Sequence, residues 1–521
     1  ARASAQQAPG SAQEPSDLFD AAYQAWDAGD YGVALEGLGD VLERPDASGL
    51  LADIAVLTGE RYHTLEVAPD GRAPRWSPDG RHAAYDVPGG APRTVVVAVD
   101  DAGVRTVAEL DGYGATFSPD GGSIAWLETD DPAALGREQQ AIRDTTAVTN
   151  RAEWVRLNQA LAEARARRAV VHVRDLATGA ERELPASEPV YGVAWSEGEA
   201  VPWIRPVAVA VSPTGSHLVY QDDEGLAILD LAENWQRTFA GGESPALSGD
   251  GATLVFLARD GDDHVLRRVR LDQRAGETFV PETLFRATDA LANPAVSQDG
   301  AVVAFQRMGR ENWEVWVLED GEGSVGEVPA RAGESDAPRR LTHDVQHDLY
   351  PAFLSGDRLL VVKGEGRHRR SYVYPVRAGG EPAVREWVPG SGEGMRLFHN
   401  NTVRTVAPEY EWAVSPDGTK VLIVAERDGD TIDPARGLYL TDLDRPVSRD
   451  AVRARVAEQL AAERALRETA DALFAGTVGD VRDIVADVSV SRIHGYAADL
   501  ERMGTKYIGN PGNLAAIDYL V

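Results

Sequence analysis

The chain has 521 residues, 43% of them hydrophobic and 26% charged, enough apolar material for two or three folded domains. Its 83 acidic against 52 basic residues leave a formal charge of −31, which opposes binding to nucleic acid or to an anionic membrane. The absence of cysteine excludes disulfides, thiolate metal sites and a cysteine nucleophile, and no apolar run reaches the roughly eighteen residues that a membrane span requires.

Residues 1–16 are rich in Ala, Ser, Gln and Pro and read as a flexible N-terminus left after removal of a secretory signal peptide, so a secreted or periplasmic location is expected. Residues 17–58 read as a helical hairpin of tetratricopeptide type. Leu18, Ala21, Ala22 and Ala25 share one face, Gly29-Asp30 turns the chain, and Val33, Ala34, Leu35, Leu38 and Val41 continue on the return. One such unit cannot bury its apolar face alone, so it is expected to pack on a neighbouring domain.

Residues 60–445 are dominated by a repeated turn. An apolar residue precedes Ser-Pro-Asp-Gly at Trp76–Gly80, Phe117–Gly121 and Val414–Gly418, and a short β-prone run follows each. Weaker copies stand at Val211–Gly215, Leu247–Gly251, Val296–Gly300 and, shifted, at Phe353–Asp357. Proline presets its own φ, aspartate bonds back to nearby amides and glycine accepts the positive φ that ends the turn, so each copy marks a hairpin. Seven such hairpins, spaced by roughly 36 to 60 residues with one gap of about 94, predict a mainly β fold: a seven-bladed β-propeller. Trp195-Ser196-Glu197-Gly198 is an additional turn signal that leaves eight blades open.

The long gap predicts a helical insertion over about 130–168. Asn150 and Glu153 form a cap-like pair ahead of Trp154, Leu157, Leu161 and Ala164, and a strand resumes at Val170–Val173. Arg156, Arg165, Arg167 and Arg168 make a basic strip on that helix, suited either to an anionic partner or to a solvated face over the propeller rim. Residues 446–488 read as a helical linker, with a long charged helix from Ser448 to Phe474. From Ser489 an amphipathic helix carries Ile493, Ala497, Leu500 and Met503, followed by a turn-rich stretch and a new helix from Leu514. This last segment reads as the start of a third domain whose chemistry would lie beyond Val521.

No catalytic, cofactor-binding or metal-binding residue is assigned. A Gly-x-Ser-x-Gly nucleophile elbow is absent; Gly242-Glu243-Ser244-Pro245-Ala246 lacks the second glycine and falls in a blade turn. His343 and His347 are four apart, but in a loop and without the helical His-Glu-x-x-His pattern of a zinc site. The acidic strings Asp260–Asp263 and Asp428–Asp433 lack the spacing of a calcium loop and read as solvated hairpin tips.

The Ser-Pro-Asp-Gly hairpins resemble the propeller repeats of the TolB translocation protein and of the domains ahead of prolyl-oligopeptidase-type peptidases. That resemblance specifies fold and leaves function open. The run Leu500–Ala516 is similar to the opening of the M28 family of zinc aminopeptidases, in which a helix and a Gly/Asn-rich loop precede the first strand of an α/β domain. Lys506, Gly509, Gly512, Asn513 and Ala516 match that pattern, with lysine where arginine is commoner.

The resemblance implies two zinc ions bound through a His-x-Asp pair, a Glu-Glu pair, a further Asp and a distant His. None of the ten histidines here is followed two residues later by aspartate, so zinc is expected only in a downstream peptidase domain. The implied function is the non-catalytic propeller and linker portion of an exported M28-like metallopeptidase. Its partners would be the C-terminal peptidase domain or fragment and a peptide substrate. The alternatives are a stand-alone binding or assembly propeller of the cell envelope and a serine peptidase of the propeller-plus-hydrolase type.

Overall fold

A computed structural model describes residues 14–520 except 90, 197, 207–208, 212–216, 223, 231–234, 272–279, 311, 320–337, 344–345, 356, 365–368, 377–394, 397–408, 427–435, 478, 482–489 and 504–510. Two compact units are present, one of residues 45–452 and one that joins residues up to 44 with those from 453 onward.

The larger unit is a seven-bladed β-propeller. Six four-stranded antiparallel sheets follow one another in chain order, with strands spanning 72–111, 113–184, 209–240, 243–287, 291–340 and 348–396. The seventh takes three strands from 409–446 and its outermost strand, Tyr62–Ala68, from the other end of the chain. A two-stranded hairpin, Gly192–Ser196 with Glu199–Trp203, lies between the second and third blades. The turn signal at Trp195–Gly198 thus marks a real hairpin that never grows into a blade.

Each sheet is covered on both faces by its neighbours, so its middle strands read as continuous apolar runs, while outer strands such as Gly103–Asp111 and Glu282–Ala287 alternate. In the fourth blade Leu254, Phe256 and Ala258 pack against Leu226, Ile228 and Phe239 of the third. The intervening Val255 and Leu257 face Phe285, Val303 and Phe305 at the junction with the fifth. Phe239 stacks on Phe256 at 5.2 Å between ring centroids. Each such buried side chain contributes about 1.5–3 kcal/mol relative to exposure. The extra hairpin does the same for the second blade, setting Val193, Trp195 and Ala200 against Leu127, Val171 and Val173.

The repeated turn joins the first and second strands of each blade. In five fully described copies the serine hydroxyl donates to the aspartate Oδ1 and accepts the backbone N–H five residues on: Ser77, Ser118, Ser248, Ser297 and Ser415. The Ser118 hydroxyl and then the Gly122 amide hold the Asp120 carboxyl below its ordinary range. The centre of the third copy, residues 212–216, lies outside the described residues.

The insertion in the second blade contains two helices where the sequence predicted one. We number the helices in chain order. Residues Pro15–Asp27 form α1, Tyr31–Glu43 α2, Leu51–Thr58 α3, Pro132–Thr145 α4, Arg151–Ala166 α5, Arg449–Phe474 α6, Val490–Arg502 α7 and Pro511–Leu520 α8. Asn150 caps α5 by accepting from the Glu153 amide, while the Glu153 carboxylate accepts from Thr149 N and Thr149 Oγ1. The added helix α4 is capped by Asp131, which accepts from Ala134 N, and has proline at its start.

In the smaller unit α1 and α2 pair as a hairpin, with Ala34, Leu35, Leu38 and Val41 of α2 buried as expected and the face of α1 shifted. Phe19 is the buried anchor with Ala22, while Ala21 and Val33 are exposed. The third helix against the pair is α6: Arg453 bonds Glu43, Arg464 bonds Glu36 and Arg467 bonds Asp30. Helix α3 groups with the propeller and not with the hairpin.

Gly80 and Gly418 both hold φ of +69°, but a Cβ on Gly80 meets only Pro416 at 3.8 Å whereas one on Gly418 meets Ser355 N at 2.4 Å. Gly80→Ala is expected to cost about 1–2 kcal/mol, the penalty of a left-handed alanine, and Gly418→Ala at least about 2 kcal/mol more, read by urea unfolding.

Burial lowers the pKa of His217 below 6.5, partly offset by Asp230, and burial also lowers His82 and His264. The unfolded chain protonates these rings near 6.5 while the folded one resists, so stability is full above about pH 7 and falls as pH descends through about 6.5. His217→Gln should flatten the Tm–pH profile between pH 7 and 5; an unchanged slope would assign the loss to other groups.

Candidate functional site

The first strands of neighbouring blades approach one another, as Arg72–Trp76 does with Glu409–Val414 and Leu291–Val296 with Asp348–Leu354, so they surround the propeller axis. Six of them carry a break in register: after Arg72, Tyr113, Glu243, Ala292, Leu349 and Glu409. Such a bulge places one extra residue in the strand and bends it. In five blades that residue is left-handed: Ala73, Gly114, Ser244, Asn293 and Tyr350, with φ between 43° and 64°.

Proline follows in four of the five, at 74, 245, 294 and 351. It has no N–H to give to a ladder that is already interrupted there, so the bulge tolerates it. The proline stands three residues before the turn serine in three blades and four before it in the sixth. That spacing was readable in the sequence and was missed. Gly242–Ala246 contains one of these bulges: Ser244 sits in an innermost strand, not in the blade turn expected from the sequence.

At three of these bulges a backbone donor is met from the adjacent blade. Gln221 Oε1 accepts from Ser244 N at 3.2 Å, and Gln306 Oε1 accepts from Tyr350 N at 3.1 Å and from Asn293 Nδ2 at 2.5 Å. Gln221 and Gln306 hold the same position, fifth in the second strand of their blades. Where the ring closes, the Glu411 carboxylate accepts from Ala73 N, and Trp76 Nε1 donates to Ala413 O at 2.9 Å. Charged side chains brace the same end of the strands: Arg75 bonds Asp86 at 2.6 Å, and buried Glu409 accepts from Ser371 N and Trp412 Nε1.

Other candidate residues are engaged in structure. His347 Nδ1 accepts from Trp313 N at 3.0 Å, which fastens the loop between the fifth and sixth blades. Asp260 and Asp263 form a hairpin tip and both bond Arg286, at 2.5 and 3.1 Å. The Arg286 hydrogen bond holds the Asp260 carboxyl below its ordinary range. Among the described residues no group of three or more His, Cys, Asp or Glu is placed to hold a metal ion. Asp428–Asp433 lies outside the described residues.

The basic strip of α5 is largely spent within the chain. Arg167 bonds Glu138 and Glu163, Arg168 bonds Glu138 and lies 3.8 Å from Asp130, and Arg165 stands over the Tyr113 ring.

No family model and no curated protein sequence matches the chain. Solved structures with a similar architecture include a puromycin-hydrolyzing peptidase of Mycobacterium tuberculosis, 15% identical with a TM-score of 0.41 over 75% of this chain and 53% of that one. The β-propeller domain of the Trilobed protease from Pyrococcus furiosus is 11% identical with a TM-score of 0.40, over 72% and 95% of the two chains. TolB from Acinetobacter baumannii is 12% identical with a TM-score of 0.32, over 71% and 82%. The chain thus spans about half the length of the mycobacterial peptidase it matches. Likeness at this level concerns architecture alone, and the propeller assignment rests on the sheets themselves. No helix among the described residues is long and apolar enough to cross a membrane.

Gln306 is buried and serves two donors from two blades. Gln306→Leu keeps the volume but strands both donors, and is expected to cost about 2–4 kcal/mol by urea unfolding. A loss below about 0.5 kcal/mol would mean that the bulges are held without the glutamine.

Proposed function

We propose that this chain is the non-catalytic propeller and linker portion of an exported M28-like zinc aminopeptidase, in which the propeller gates or orients peptide substrates. The observation that carries the reading is the residue-by-residue match at Lys506, Gly509, Gly512, Asn513 and Ala516. The surrounding structure supports it: helix α7 precedes the matched stretch, α8 begins within it at Pro511, and Gly512 and Ala516 are buried. Lys506 and Gly509 lie outside the described residues.

Helices α7 and α8 also expose Ile493, Tyr496, Leu514 and Ile517, apolar surface that a following domain would cover. On this reading the zinc ions belong to that following domain. The propeller's part is steric and electrostatic. Its channel limits what reaches the catalytic domain, and the surplus of acidic side chains attracts the free amine of a peptide.

One observation favours the second reading, a binding or assembly propeller of the cell envelope: Val148, Trp154 and Val155 are exposed on the insertion. The protein purified from its natural source separates the two. A mass well above the 56.0 kDa of this chain, or a tightly bound fragment carrying zinc, is expected for the peptidase reading. A lone species of that mass without metal would favour the binding propeller.

A further inference from the structure

We propose that Tyr350 and Arg369, beside the propeller axis in the sixth blade, form a subsite for the carboxylate end of a peptide. The inference rests on the propeller alone and stands or falls separately from the peptidase reading.

Tyr350 occupies the left-handed bulge position that other blades give to Ala73, Gly114, Ser244 and Asn293. A large aromatic residue there carries backbone strain with no gain in core packing, since 46% of it is exposed on an innermost strand. Gln306 from the fifth blade fixes its backbone by accepting its N–H.

Arg369 precedes the third strand of the same blade, and its guanidinium carbon lies 5.8 Å from the centre of the Tyr350 ring. Its carbonyl accepts from Glu409 N, which ties it to the start of the seventh blade's innermost strand. Its guanidinium makes no hydrogen bond or ion pair among the described residues, and its Nε is closed to solvent without an acceptor. Arg307 and Arg340 of the fifth blade, by contrast, reach Asp289 and Glu314. In a chain of net charge −31 a half-buried guanidinium that no carboxylate of the described residues reaches is out of keeping with its surroundings.

The chemistry selects the ligand. A guanidinium presents paired N–H donors in a plane, which a carboxylate or a phosphate matches with two parallel hydrogen bonds. The acidic surplus of the chain repels a phosphate dianion more than a single negative charge, so the carboxylate is favoured. The exposed ring of Tyr350 offers the side chain of the terminal residue an aromatic face.

The test is calorimetric titration of the intact protein with N-acetyl-Ala-Ala-Phe as free acid, with the same peptide as C-terminal amide, and with inorganic phosphate. The free acid is expected to bind at least about tenfold more tightly than the amide, and more tightly than phosphate. Arg369→Gln should abolish the preference for the acid, Arg369→Lys should keep part of it, and Tyr350→Ala should weaken acid and amide together. Thermal melts of each variant matching the parent keep a loss of binding distinct from unfolding. Equal affinity for acid and amide, a preference that survives Arg369→Gln, tighter binding of phosphate, or no binding of the free acid at about 10 mM would each overturn the proposal.

Discussion

Everything in the larger unit depends on closing the ring. Each sheet is apolar on both faces, so no blade is a folded object without a neighbour on either side, and a linear row of blades would leave two faces in water. The chain removes both open faces with one pairing. Tyr62–Ala68 runs antiparallel to Arg436–Pro446, so the last blade is completed by the first strand of the propeller. Leu422, Val424, Leu438 and Leu440 then meet Ala83, Tyr85, Val95 and Val97 across the closing junction. These contacts join residues more than 300 positions apart, and the loop entropy of that closure is offset only when all the junctions form together. The propeller is therefore expected to unfold as one cooperative body and not blade by blade.

Within that frame two sets of polar contacts divide the labour. At one end of the blades the serine and aspartate of each turn satisfy each other and the local amides, so each hairpin is specified by its own residues. At three of the inner strands the bulge exposes a donor that the adjacent blade satisfies, through Gln221, Gln306 and Glu411. The first set makes blades; the second fixes how they are stacked around the axis.

This division explains what the sequence disclosed. The turns were legible because Ser77–Gly80 and its copies carry their whole mechanism within a few residues, and seven of them sufficed for the blade number. The hairpin at Trp195–Gly198 was visible for the same reason, but nothing local told that it would stop at two strands. Bulge prolines at 74, 245, 294 and 351 were in plain view without meaning, because their role appears only when the strand is placed on the axis. Helix α4 escaped notice because Arg137, Glu138, Gln139 and Gln140 leave it little apolar periodicity, although Asp131-Pro132 is a sound helix start. Missing it made the arginines of α5 look free, when their carboxylate partners lie on and beside that helix. The pairing of Tyr350 with Arg369 was beyond reach, since it depends on the register of two strands that are not neighbours in the sheet.

The insertion between the second and third strands of the second blade is anchored in an economical way. Its two ends continue the ladder, with Thr129 opposite Ala169 and Asp130 N bonded to Arg168 O at 3.0 Å. The chain therefore leaves and re-enters the sheet through neighbouring positions, as it does at an ordinary tight turn. In evolutionary terms this junction is a socket: the ladder between Thr129 and Ala169 is that of an ordinary hairpin whatever hangs beyond it. A lineage that lengthens, replaces or removes the helical pair keeps the pairing of the ring and gives up only local contacts such as that of Arg165 with Tyr113.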